Sequence, residues 1–205
     1  MGEPLQSWKD NQPNYLFRGV EYNPENNVIS ILMKKEFYPS GKYDLIYEPY
    51  YGKNIVTDAG DEFYAQELSP QVATPTNDFF GSNNRIELQN PGTADTPAKT
   101  DTYGDVTSPI TASRDTLETG YPTDNDTETF NTGKDVDALT YKYLHAEGDF
   151  DTEGANNITG GCIHVGGATP AAGTPLLSHF NYTTPFGKSS TDQLITYINH
   201  KFNGV

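Results

Sequence analysis

Four histidines, His145, His164, His179 and His200, and one cysteine, Cys162, are the side chains here best suited to metal or nucleophilic chemistry. Three imidazoles gathered from neighbouring strands would suffice for zinc. Their immediate neighbours, Ala146, Ile163, Ser178 and Asn199, form neither an HxH nor an HExxH spacing. They therefore read as sheet histidines satisfied by hydrogen bonds. Cys162 lies in Gly160-Gly161-Cys162-Ile163-His164, and residues i and i+2 of a strand share a face without forming a Cys–His nucleophile pair. It reads as a buried, inert thiol that has no intrachain disulfide partner. The pairs Gly160-Gly161 and Gly166-Gly167 lack a phosphate-loop lysine and a following helix, and no GxSxG segment occurs. Asp124-Asn125-Asp126-Thr127-Glu128 lacks the Gly and bidentate Glu of an EF-hand and reads as a solvated acidic loop. The chain is thus expected to be non-enzymatic, with no catalytic residues, metal or cofactor.

Aromatic pairs are more telling. In Tyr50-Tyr51 and Phe79-Phe80, adjacent rings on a strand would point to opposite faces, leaving one of each pair exposed or at an interface. The first 27 residues are polar and carry Pro4, Pro13 and Pro24 with isolated apolar anchors Leu5, Trp8, Tyr15 and Phe17. That pattern suits an extended arm whose anchors dock onto something else.

These residues must be positioned by a small set of elements. Val28–Lys34 and Lys42–Tyr50 read as strands joined at Tyr38-Pro39-Ser40-Gly41, a β-hairpin whose second strand alternates Tyr43, Leu45, Tyr47 with Asp44, Ile46, Glu48. Thr57–Leu68 reads as the one helix, with Thr57 or Asp58 as N-cap, Asp61 and Glu62 in the first turn, and Pro70 ending it. Short strands are expected at Arg85–Gln89 and Asp105–Ala112 within a long Pro- and Gly-punctuated stretch. Four more follow at Ala138–His145, Ile158–Gly166, Pro175–Thr183 and Asp192–Phe202. In the last, Leu194, Ile198 and Phe202 face one way and Ile195 and Tyr197 the other, which marks a strand covered on both faces. The expected fold is mainly β: an antiparallel β-sandwich over residues 28–205 with long loops, an extended N-terminal arm over 1–27, and an acidic loop insertion over about 90–137.

Composition excludes several classes. The chain has 205 residues with 13 basic against 28 acidic side chains, a formal charge of -15, and 14 Tyr and 10 Phe. So many aromatics argue for a folded chain, and so much negative charge argues against direct contact with nucleic acid. Residues 86–154 hold 15 acidic against 4 basic side chains, while residues 155–205 hold only Asp192 against Lys188 and Lys201. Met1–Gln12 has no apolar h-region, so no secretory signal is expected, and the longest apolar run, Val28–Met33, is too short to cross a bilayer.

Two segments resemble small β-rich virion structural proteins of tailed bacteriophages. Asn54-Ile55-Val56-Thr57-Asp58-Ala59-Gly60-Asp61-Glu62-Phe63-Tyr64 resembles their N-(L/I)-V-T-(N/D)-x-G opening. Pro175–Phe180 and Phe186–Phe202 are similar to their closing hairpin, in which Lys188–Asp192 would form the turn, with Asp192 or Ser190 bonding backbone amides. The resemblance implies a head decoration or cement protein, with a tail, neck or fibre adaptor as the alternative. It implies partners among the major capsid protein or other virion subunits, a homo-oligomer within the particle, synthesis in a host cytoplasm and residence in the virion. It transfers no catalytic residue. A carbohydrate-binding β-sandwich module, using Tyr50, Tyr51, Phe79 or Phe80 as a sugar platform, is the rival of a different class.

Overall fold

A computed structural model of the chain describes residues 27–69, 77–124, 138–152 and 157–201. It contains β1 (Val28–Phe37), β2 (Tyr43–Val56), α1 (Asp58–Glu67), β3 (Arg85–Gln89), β4 (Asp115–Thr116), β5 (Ala138–His145), β6 (Ile158–His164), β7 (Leu176–Phe186) and β8 (Gln193–Lys201). The strands form one antiparallel sheet in the order β4-β3-β6-β7-β2-β1-β8-β5. That sheet curls until its margins meet. Beyond β4, the Glu118 amide donates to the Lys142 carbonyl of β5 (2.9 Å), and Thr123 and Thr140 exchange backbone hydrogen bonds of 3.1 and 2.9 Å. Among the described residues the mainly antiparallel β fold with a single short α-helix is as expected, and the layers expected of a sandwich belong to one nearly closed sheet.

Alternation along the strands decides what lies inside. Val28 and Leu32 of β1 join Leu194 and Ile198 of β8, Phe180 and Phe186 of β7, and Tyr141 and Tyr143 of β5 in the main core. Ile29, Ile31 and Met33, on the opposite pleat of β1, form a second cluster with Tyr197 of β8. The strand β8 is therefore covered on both faces, as its sequence suggests, and it runs between β1 and β5.

The helix starts where its capping residue meets a break in the sheet. Thr57 Oγ1 accepts the Gly60 amide at 3.2 Å and donates to the Leu176 carbonyl, while the Thr57 amide donates to Leu177 O at 3.1 Å. Register slips near this point, with Ile163 opposite Ser178 but His164 opposite Leu176. The slip sends Leu177 into the main core while Leu176 joins an outer cluster with Cys162 and Val106. From α1, Phe63 and Tyr64 reach the interior, where the Tyr64 hydroxyl bonds Tyr141 Oη (2.8 Å) and His200 Nδ1 (2.5 Å).

The expected strand at Asp105–Ala112 does not form. Short 3-10 turns at Tyr103–Asp105 and Thr111–Ser113 flank a single bridge from Pro109 to Gln89. Pro109 faces Gln89 at a non-hydrogen-bonded position, so the bridge is carried by its neighbours (Asn90 N–H to Ser108 O, 3.1 Å; Ile110 N–H to Leu88 O, 2.8 Å), and it ends where Ser108 adopts φ +46° and Thr111 enters a turn.

Candidate functional site

The hairpin of β1 and β2 outgrows the barrel. Pairing of β1 with β8 stops at Met33 opposite Gln193, and pairing of β2 with β7 covers Gly52–Val56. Lys34–Phe37 continue opposite Tyr43–Ile46 as a two-stranded ribbon. The turn is closed by Tyr38 N–H to Lys42 O (2.8 Å) and Gly41 N–H to Tyr38 O (2.9 Å). Near its tip Phe37 is 72% exposed, Tyr38 43% and Ile46 37%. Ion pairs Lys34–Glu48 (2.8 Å) and Lys35–Glu147 brace the base, and the Tyr50 hydroxyl donates to Glu48 at 2.9 Å. Apolar side chains this exposed, on a braced ribbon, are suited to being buried by a partner.

The aromatic pairs divide as follows. Tyr50 lies opposite Ser30 on the interior pleat and stacks on Phe186 (centroids 4.0 Å, 15° between planes), so it is a packing residue. Tyr51 takes the outer pleat and packs with Ile29, Ile31, Met33, Tyr47, Ile195 and Tyr197. Phe79 is a correction to the expected surface role. It is fully buried, edge-on to Phe63 at 5.3 Å, while Phe80 is 39% exposed and also touches Phe63 (4.7 Å). The pair sits in a turn, so its two directions come from turn geometry instead of strand alternation. Leu5, Trp8, Tyr15 and Phe17 lie outside the described residues. Sequence reading missed Phe37 and Ile46; the available signal was an aromatic residue directly beside the Tyr38-Pro39-Ser40-Gly41 turn.

The titratable groups are tied into separate internal contacts. Glu87 is fully buried in β3 and accepts Arg114 Nε at 2.7 Å; Arg114 also donates to Tyr103 Oη (2.8 Å) and Ala168 O (2.6 Å). His164 Nδ1 accepts the Gly166 amide (3.1 Å), so Nε2 is the nitrogen left to donate towards Glu87, 3.4 Å away. Burial opposes ionisation of Glu87, but the hydrogen bonds from His164 and Arg114 outweigh it and hold the carboxyl below its ordinary range. His179 Nδ1 donates to Asp101 (2.7 Å), and Asp95 lies 3.7 Å from its other nitrogen. His145 Nε2 donates to Ser113 O (2.9 Å), and burial pushes its pKa down to about 4. Burial alone takes His200 down to about 3. Cys162 is buried with its thiol pushed well up, the state of an inert side chain. Among the described residues no group of three His, Cys, Asp or Glu is arranged to hold a metal.

Three aspartates of the insertion also fasten its turns. Asp101 accepts the Ala98 amide (2.8 Å), Asp105 the Thr102 amide (2.8 Å), and Asp95 the Thr107 amide (2.9 Å). Of the expected acidic loop at 124–128, residues 125–128 lie outside the described residues. Asp192 bonds the Ser189 amide (2.9 Å), as the turn chemistry implies, but Lys188 is fully buried, its Nζ donating to Phe150 O (3.3 Å) and Ser189 O (3.2 Å).

No helix among the described residues is long and apolar enough to cross a membrane. Comparison with protein-family models, with curated proteins and with solved structures finds no match.

Proposed function

We propose that this chain is a non-enzymatic structural protein of a tailed-phage virion, a capsid decoration or cement subunit that stabilises the head through its β1–β2 hairpin tip, its arm over residues 1–27 and its loops. The hairpin carries the structural reading: a braced ribbon presents Phe37, Tyr38 and Ile46 beyond the barrel, where a neighbouring subunit can bury them. The internal bonding of Glu87, Arg114, His145, His179 and Lys188 supports a scaffold in preference to an enzyme. The phage assignment is supported by the resemblance of residues 54–64, 175–180 and 186–202 to virion proteins. Those segments here build the β2-to-α1 junction and the strands β7 and β8; the expected closing hairpin does not form, because β2 and β1 lie between β7 and β8 in the sheet. The partners would be the major capsid protein or other virion subunits.

The test is particle occupancy. Phe37→Asp together with Ile46→Asp, and separately deletion of residues 1–27, are expected to lower occupancy at least about tenfold, the effect of losing about 1.4 kcal/mol of contact. Unchanged occupancy with a folded barrel would sink the proposal. Antibody labelling of intact particles separates a head position from a tail, neck or fibre position.

One cleft favours a second reading. Pro49, Tyr50, Tyr51, Thr183 and Thr184 line a surface depression of about 340 Å³, large enough for a sugar ring against an aromatic edge. Binding on a glycan array that is lost in Tyr51→Ala would support a carbohydrate-binding module; an array without hits removes it.

A further inference from the structure

A cleft of about 440 Å³ opens where the margins of the sheet meet, a volume within the range of small-molecule sites. One wall is the turn into β3, with Phe80 and Arg85; the other follows β4, with Leu117, Glu118 and Tyr121. Both walls are anchored. The Phe80 ring lies edge-on to Phe63 (4.7 Å, 80° between planes), and its amide donates to Asp78 Oδ1 (3.0 Å). The Glu118 amide donates to the Lys142 carbonyl of β5, and the Tyr121 amide donates to Glu118 O (3.1 Å). The Tyr121 ring lies 5.4 Å from the Lys142 ammonium.

The charges select the ligand. Arg85 Nη1 donates to Ser82 O (2.6 Å) and Asn84 O (2.7 Å), which fixes the guanidinium plane and leaves its Nε–Nη2 edge without a hydrogen bond among the described residues. That edge is the fork that receives a carboxylate. Neither Arg85 nor the Glu118 carboxylate takes part in an ion pair there, although the chain has 28 acidic side chains to offer. Both charges act around one point. Burial is the main reason the Asp115 carboxyl is held above its ordinary range, and Glu118 and Arg85 both reach it, with opposite signs. Arg85 lies opposite Thr116, two residues before Glu118. Across a ladder that diagonal is about 7–8 Å, room for the head of one small molecule between two unpaired charges.

We propose that this cleft binds a free α-amino acid with an apolar side chain: Arg85 takes its carboxylate, Glu118 its ammonium, and Phe80 and Leu117 its side chain. A simple anion would satisfy Arg85 but be repelled by Glu118 and by a net charge of -15. A neutral sugar would neutralise neither charge. The site goes beyond the virion reading and does not depend on it, and its residues are separate from the depression at Tyr51. Because the two walls come from opposite margins of the sheet, a bound amino acid also fastens the closure of the barrel.

Titration calorimetry of the full-length chain with L-leucine and L-phenylalanine is expected to show saturable binding with a Kd of about 1 mM or tighter. Isocaproate, which is leucine without the ammonium, and isoamylamine, which is leucine without the carboxylate, should each bind at least about tenfold more weakly than leucine. Glu118→Gln should weaken leucine at least about tenfold and leave isocaproate unchanged. Arg85→Gln should weaken both leucine and isocaproate and leave isoamylamine unchanged. Far-ultraviolet circular dichroism checks that each variant is folded. If Arg85→Gln is not, Glu118→Gln decides with the ligand series, since the Glu118 side chain holds no internal hydrogen bond among the described residues. No saturable binding of either amino acid at about 10 mM overturns the proposal, and so do affinities indifferent to the folded variants. Glucose binding that is lost in Glu118→Gln would also overturn it, in favour of a sugar. Neither particle occupancy nor Tyr51→Ala enters these readings, so failure here is distinguishable from failure of the virion proposal.

Discussion

Glu87 and Arg114 illustrate how much one pair can be asked to hold. The carboxylate is fully buried, and Arg114 links it to Tyr103 and to the Ala168 carbonyl, fastening the 103–114 segment to the outside of β3 and β6. Arg114→Ala leaves an uncompensated buried charge and is expected to destabilise the fold by about 3–5 kcal/mol in urea denaturation, with Glu87→Leu in the same chain recovering most of the loss. Single and double variants of equal stability would show that the pair contributes little. Acid sensitivity follows from the same residue scale. Glu87 is held below its ordinary value, so its stabilisation is present above a pH of about 4 and is lost as pH falls through the folded value. His145 and His200 titrate at about 4 and about 3 when folded. Unfolded histidines bind protons below a pH of about 6.5, so stability decreases as pH drops from there. Potentiometric titration across acid unfolding should show uptake falling by up to about one proton in His200→Gln, and likewise in His145→Gln. Uptake equal to that of the parent would contradict buried, neutral rings.

Elements were legible where local chemistry and burial agree. Thr57 was readable as an N-cap because a hydroxyl followed by acidic residues marks a helix start, and Gly60 N–H does donate to it. β3 and β5 span the residues expected, since alternation and flanking turns bound them on both sides. β4 was not visible because two residues carry no period, and Asp105–Ala112 failed because turns at Tyr103–Asp105 and Thr111–Ser113 and the positive φ of Ser108 leave room for one bridge only. The candidate site was less legible. Phe79 and Phe80 were assigned directions from strand geometry in a place where the chain turns, and the ribbon containing Phe37 gains meaning only once β8 and β7 are known to stop short of it. Gly60 supplies an element-scale prediction with an unusual sign. Alanine in a helix interior is ordinarily favoured over glycine by about 1 kcal/mol. Here a methyl at Gly60 would strike the Leu177 carbonyl and crowd the Val56 side chain at 2.9 Å. Gly60→Ala should therefore destabilise, and Thr57→Ala should cost about 1–2 kcal/mol through the lost cap. A raised melting temperature for Gly60→Ala would mean that α1 does not sit against β7 as described.

At the scale of the molecule, the barrel has one weak line. Seven neighbouring strand pairs are joined by ladders, but β4 and β5 meet through the loop residues Glu118 and Thr123. Native-state amide exchange should therefore find the Glu118 and Thr123 amides less protected than those of Ile31 or Ile195, whose strands are paired on both sides. Equal protection would mean that the barrel opens as a unit. Charge is divided along the same architecture. Glu87 and the aspartates of the insertion fasten turns against β3, β6 and β7, while the final strands carry little net charge, so the acidity belongs to the wrapping more than to the frame.

The bond between Asn199 and Asn27 has a mechanical consequence. The first and last strands of the frame lie side by side and antiparallel, so the start of β1 and the end of β8 leave the barrel at the same rim. Tension applied between those two points would separate β1 from β8 one hydrogen bond at a time, like a zip, and would meet little resistance. Tension entering at the Phe37 tip and leaving at the end of β8 would run along the strands and load several bonds of the ladder together. The frame is thus strong or weak according to where it is held.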